Sequence, residues 1–124
     1  MNLKLVFRIY AGFGAFFAIA TLLSPEAMLD SYGMTYTKQI GTILQFMVMV
    51  QTMLFVVVWQ LPTWLGDNLA KAGTTFILVS LLPVVVNILH VVTDTLPATG
   101  MWFVENGFWV AFAGLFYFYS KKSA

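Results

Sequence analysis

The sequence predicts an all-α integral membrane protein, an up-down bundle of four transmembrane helices with both termini in the cytoplasm. Of its 124 residues, 60% are hydrophobic and 9% are charged, and the apolar residues gather in four long stretches. An ordinary soluble domain has about 45–50% apolar and about 25% charged residues. A soluble chain this short leaves a large share of its surface in water. Lipid is therefore the expected solvent.

The four apolar stretches cover about residues 5–23, 40–59, 72–92 and 103–120, and together they make one domain, 1–124. A helix rises about 1.5 Å per residue, so about 20 residues cross a hydrocarbon layer of about 30 Å. The first three stretches reach that length. The fourth reaches it when its helix begins before Phe108 and includes Glu105.

The basic residues predict the orientation of the bundle. With four spans, both termini and the middle loop lie on one side, and Lys and Arg favour the cytoplasmic side of a membrane. The opposite side carries Lys38 as its one basic residue and most of the acidic residues. The predicted cytoplasmic side carries Lys4, Arg8, Lys71, Lys121 and Lys122.

Small residues form a stripe on the first helix and another on the fourth. Small faces let helices approach closely in lipid, where packing drives association. The two stripes therefore predict either that the first and fourth helices pack together or that one stripe contacts a partner subunit. Their members are Ala11, Ala15 and Ala18 on the first helix and Gly107, Ala111 and Gly114 on the fourth.

A group of polar residues is predicted between the second and third helices. Asn87, His90 and Asp94 are spaced three and four apart, so they share one helical face. Gln45 lies at a similar depth on the antiparallel second helix, where it could meet Asn87. Two interpretations follow: interhelical hydrogen bonds that fix the packing, or a pocket in which His90 binds a ligand or relays a proton.

The sequence contains few other residues that could bind a ligand or catalyse a reaction. Arg8 lies at the inner end of the first helix, where it either reaches the lipid head groups or makes a cation–π contact with Tyr117 or Tyr119. One histidine and no cysteine give no metal site. We predict no catalytic residues and no cofactor, and bound lipid, pigment or quinone stays open.

Short motifs resemble the DoxX-like superfamily of small four-helix bacterial membrane proteins, in its uncharacterised branch. The first span closes in Leu22-Leu23-Ser24-Pro25-Glu26-Ala27-Met28-Leu29, followed by Tyr32-Gly33-Met34, and the third closes in Thr93-Asp94-Thr95-Leu96-Pro97 before Glu105 opens the fourth. The resemblance implies a four-helix fold in the bacterial inner membrane and an accessory role beside larger membrane proteins. It implies no catalytic residue.

These observations lead to two functional hypotheses. The first is a small accessory or structural subunit that packs against a larger membrane protein complex or associates with itself. The second is a protein that handles a small ligand or protons through Gln45, Asn87, His90 and Asp94. An enzyme is less favoured, and the near-neutral charge of +1 gives no reason to expect nucleic acid as a partner.

Overall fold

The computed structural model describes residues 1–123 and is helical, without strands, over that range. A single 3-10 turn at Gly66–Asn68 separates the third and fourth helices. Each predicted apolar stretch lies inside one long helix, which confirms the all-α prediction. The helices are α1 (Leu3–Leu23), α2 (Pro25–Ser31), α3 (Lys38–Leu65), α4 (Leu69–Val92) and α5 (Gly100–Ser123).

The long helices extend beyond the predicted stretches. α3 continues through Pro62 to Leu65 and ends at Gly66, whose φ of 50° does not fit a right-handed helix. Proline has no backbone N–H, so Pro62 cannot donate a hydrogen bond to the preceding turn. The loss falls in the last turn of α3, close to the end of the helix. α5 begins at Gly100, so Glu105 lies within the helix.

The seven-residue helix α2 was not predicted from the sequence. Pro25 occupies its first position, where the missing N–H costs nothing because a first-turn N–H has no helical partner. The helix ends in a Schellman motif: Met34 N–H donates to Leu29 C=O and Gly33 N–H donates to Asp30 C=O, both at 2.9 Å. Gly33 supports this turn with a φ of 74°.

The four long helices associate as two pairs. α1 packs along α3 and α4 packs along α5, while α3 and α4 touch little in spite of being consecutive. Gly14 lets α1 and α3 approach closely, because a Cβ at this position would overlap the Phe55 ring. We call the end with both termini the inner end, and the end with α2 and the α4–α5 loop the outer end.

An aromatic cluster joins the two pairs in the inner half of the bundle. Phe7 and Phe116 are fully buried, with ring centroids 4.9 Å apart, and Phe76 of α4 packs against Phe7 at 5.0 Å. Tyr10 contacts Phe116 and Phe112 of α5 at 5.5 and 5.1 Å. Edge-on contacts of this kind add to the packing energy of the buried rings.

The outward faces of the helices are strongly apolar. Leu23, Val92 and Phe16 are 76%, 74% and 66% exposed, and many other large apolar side chains are more than half exposed. Two helical stretches, Leu3–Leu23 and Lys38–Val92, are long and apolar enough to cross a membrane, and the second contains both α3 and α4. α5 is not among them, since its polar residues lower its hydropathy.

Candidate functional site

A cavity of about 260 Å³ lies between α1, α3 and α5 in the outer half of the molecule. We call it the outer cavity. Met28 and Tyr32 close its outer end, and Tyr10 of the aromatic cluster lines its inner end. It lies where α3 and α5 share no extensive interface.

Aromatic side chains form half of the lining. Eight of the sixteen lining residues are aromatic, and they come from α1, α3, α5 and the end of α2. A mostly apolar cleft with a few convergent polar groups is the usual form of a small-ligand site. Six of the aromatic residues are Tyr10, Phe13, Phe17, Phe55, Phe108 and Phe112.

The main polar group in the outer cavity is the carboxylate of Glu105. The Trp109 indole N–H donates to its Oε1 at 3.2 Å, one helical turn further along α5. Burial raises the pKa of the Tyr32 hydroxyl above its usual value, and the nearby Glu105 carboxylate raises it further. Tyr32 therefore stays protonated at physiological pH. Thr21 and Gln51 complete the polar part of the lining.

The outer wall of the cavity is held by contacts between α2 and the start of α5. The Thr99 hydroxyl donates to Ser31 C=O at 2.8 Å, and the same hydroxyl accepts from Trp102 N–H at 3.3 Å, which caps α5. A Cβ on Gly33 would lie 2.6 Å from Pro97 Cγ, so the α2 turn and the α4–α5 loop are in close contact. These contacts position Tyr32 over the cavity.

The structure pairs Asn87 with Asn106 of α5 rather than with Gln45. Asn87 Nδ2 donates to Asn106 Oδ1 at 3.0 Å, and Asn106 Nδ2 donates to Trp102 C=O at 2.7 Å. The Trp102 indole N–H donates to Asn87 C=O at 3.2 Å. Asn106 is buried, so these bonds satisfy polar groups inside the α4–α5 pair.

Gln45 lies apart from the other predicted site residues. It is exposed on α3 and lines a separate, small cavity of about 40 Å³ with Tyr36 and Gly41. The reason is the small contact between α3 and α4, which removes the expected antiparallel neighbour. The predicted polar cluster between the second and third helices is therefore not assembled.

His90 and Asp94 lie at the C-terminal end of α4, outside the outer cavity. Asp94 has a φ of 54° and forms the turn of a second Schellman motif. Thr95 N–H donates to His90 C=O at 2.8 Å, and Asp94 N–H donates to Val91 C=O at 3.1 Å. The backbones of both residues thus end the helix, and a ligand-binding or proton-relaying role for their side chains stays a prediction.

Arg8 makes a cation–π contact, but with a different partner from those predicted. Its guanidinium carbon lies 5.2 Å from the ring centroid of Trp59 on α3, not over Tyr117 or Tyr119. The amine of Lys121 lies over Tyr117 at 5.8 Å. Both contacts are at the inner end, as expected from the positions of these residues in their helices.

The two stripes of small residues do not pack against each other. On α1, Ala11 and Ala18 are buried and Ala15 is partly buried, and this helix packs chiefly against α3. On α5 all three members of the stripe are exposed. A Cβ on Gly107 or Gly114 would meet no atom within 4 Å, and Ala111 lies exposed between them.

The sequence contained a signal for the outer cavity that was not recognised. Phe108, Trp109 and Phe112 follow Glu105 at spacings of three, four and seven, which place all four residues on one face of a helix. That face lines the cavity. The contribution of α1 and α3 could not be predicted from the sequence, because it depends on which helices pack together.

No family model, curated protein or solved structure matches the chain. The DoxX-like resemblance therefore stays a prediction that rests on the short motifs described above.

The Asn87–Asn106 hydrogen bond predicts a coupled effect on stability. Asn87→Leu and Asn106→Leu should each lower the free energy of unfolding by about 1–2 kcal/mol, because each leaves a polar partner unsatisfied. The double variant should lose less than the sum of the two. Denaturant unfolding of the purified protein in detergent measures all four forms, and strictly additive losses would contradict the coupling.

Proposed function

We propose that the protein is a four-helix integral membrane protein, with α1, α3, α4 and α5 as its spans. The support is the exposed apolar surface together with two stretches that are long and apolar enough to cross a membrane. α5 would complete the bundle, since it forms the most extensive helix pair with α4. The inner end, which carries both termini and most of the basic residues, faces the cytoplasm of a bacterial cell.

Thiol labelling tests this orientation, because the chain has no cysteine of its own. Thr95→Cys in the α4–α5 loop should react with a membrane-impermeant maleimide on intact cells. Asn68→Cys, in the turn between α3 and α4, should react only after the membrane is permeabilised. Both wild-type positions are exposed, so accessibility of the thiol in the folded protein is not limiting. Labelling of Asn68→Cys alone on intact cells would reverse the orientation.

The function that the site supports best is the binding of a small, largely apolar ligand in the outer cavity. The observation that carries this proposal is the partly open cavity of about 260 Å³ with aromatic walls and few polar groups. Its walls are held by helix packing and by the α2 contacts, so the site is formed before a ligand arrives. The proposed site consists of the residues that line the outer cavity. The role predicted for Gln45, Asn87, His90 and Asp94 stays a separate prediction.

Filling the cavity should abolish ligand binding. Leu44 lines the cavity from α3, so Leu44→Trp should place an indole in the space that the ligand needs. Ile43→Trp is the matched control, because Ile43 is 59% exposed on the same helix and does not line the cavity. The measurement is saturable binding of radiolabelled neopentylbenzene to the protein in lipid nanodiscs, with binding to empty nanodiscs subtracted. Equal binding by wild type and Leu44→Trp would contradict the proposal.

A second candidate function is that of an accessory subunit which packs against a larger membrane protein complex. The observation that favours it is the exposed stripe of Gly107, Ala111 and Gly114, which has open space over both glycines. Small residues at an exposed position allow another helix to approach closely in lipid. This role is compatible with ligand binding, since the stripe and the outer cavity use different faces of α5.

Gly114→Leu tests the accessory role. The added side chain points into open space, so it should leave folding intact while it blocks the approach of a partner helix. The variant should lose co-purification with a larger complex after gentle extraction from the native membrane. Gly12→Leu on α1 is the matched control, since Gly12 is also exposed with no atom within 4 Å of a Cβ. Recovery of the wild type solely as a free monomer would contradict this role.

A further inference from the structure

The acidic side chain in the outer cavity indicates which charge a ligand would carry. Glu105 is a carboxylate within an apolar helix, and the Trp109 N–H is its hydrogen-bond donor. Within residues 1–123 no Lys, Arg or His side chain forms an ion pair with it. A carboxylate in a largely apolar site is costly unless a positive charge or further donors compensate it.

The aromatic walls around this carboxylate also favour a positively charged ligand. Aromatic faces carry negative electrostatic potential, and cages of aromatic rings recognise quaternary ammonium groups. Phe108 and Phe112 of α5 line the cavity on the same face as Glu105, and Phe13 and Phe17 of α1 lie opposite them. Phe13 and Phe108 are in contact, with ring centroids 5.3 Å apart.

We propose that the outer cavity binds a hydrophobic organic cation. This inference rests on the ligand binding proposed above and specifies its chemical class. The ammonium group of the ligand lies between the Glu105 carboxylate and the aromatic faces, and its apolar body lies against the side chains of α1 and α3. At about 30 Å³ for each water-sized group, the volume of about 260 Å³ corresponds to about nine such groups, which is the size of a small organic molecule.

The Trp109 indole positions the carboxylate for this task. Trp109 donates to one carboxylate oxygen, and Tyr32 closes the outer end of the cavity. The indole N–H is a neutral donor, so it orients Glu105 without adding a positive charge. A neutral ligand of the same shape would leave that charge uncompensated, whereas a cation would pair with it.

A matched pair of probes tests the inference. Benzyltrimethylammonium and neopentylbenzene have nearly the same shape and differ in one positive charge. In lipid nanodiscs the wild type should bind the cation at least about tenfold more tightly than the neutral probe, because the cation alone gains the carboxylate and cation–π interactions. Leu44→Trp should abolish the binding of both probes, while Ile43→Trp should abolish neither.

Glu105→Gln separates charge from shape. The glutamine carbonyl can still accept from Trp109, so the variant removes the charge and keeps the hydrogen bond. It should weaken binding of the cation by about tenfold or more. It should not weaken binding of neopentylbenzene, because the neutral probe gains nothing from the carboxylate charge. Glu26→Gln is the matched control, because Glu26 is an exposed acid on α2 that does not line the cavity.

The outcomes distinguish this inference from the function on which it rests. If neither probe shows binding that Leu44→Trp removes, the ligand-binding function itself is wrong. If both probes bind in a manner sensitive to Leu44→Trp, but with equal affinity and no effect of Glu105→Gln, the cavity binds a neutral ligand and only the present inference is overturned. Unchanged thermal unfolding of Glu105→Gln establishes that the variant is folded.

Discussion

The aromatic cluster around Tyr10 is the interaction on which the rest of the structure depends. Phe7 and Tyr10 of α1, Phe76 of α4 and Phe116 of α5 interlock at ring-centroid distances of 4.9 to 5.7 Å. This cluster joins the α1–α3 pair to the α4–α5 pair at the inner end. Lipid tails are as apolar as the side chains themselves, so in lipid the hydrophobic effect does not drive helices together. Close packing of this kind is then a main source of helix association.

The outer cavity follows from where the cluster ends. Beyond Tyr10, α1, α3 and α5 leave a space that their aromatic side chains line without filling. The short helix α2 closes this space because Thr99 and Pro97 hold its C-terminal turn against the α4–α5 loop. The outer cavity thus results from close packing at one end and from a connecting segment at the other.

Some polar side chains in the bundle hydrogen-bond to a side chain of another helix, whereas others face the outer cavity. Asn87 and Asn106 satisfy each other across α4 and α5, and such internally paired groups serve packing. Glu105 lines the outer cavity and accepts a hydrogen bond from a neutral donor of its own helix, Trp109. Sequence spacing ranked Asn87 and His90 above Glu105 as site residues, because it gives periodicity within a helix and says nothing of partners on other helices.

The sequence by itself determined the all-α class and the location of the four long helices, because apolar length and composition are local properties of the chain. It also contained the helix face that carries Glu105, Phe108 and Phe112. Tertiary structure alone decided which helices pair, so it placed Asn87 beside Asn106 and left Gln45 without its expected partner. It also decided that α2 forms and closes the cavity, because hydrogen bonds and contacts from the α4–α5 loop hold that turn in place.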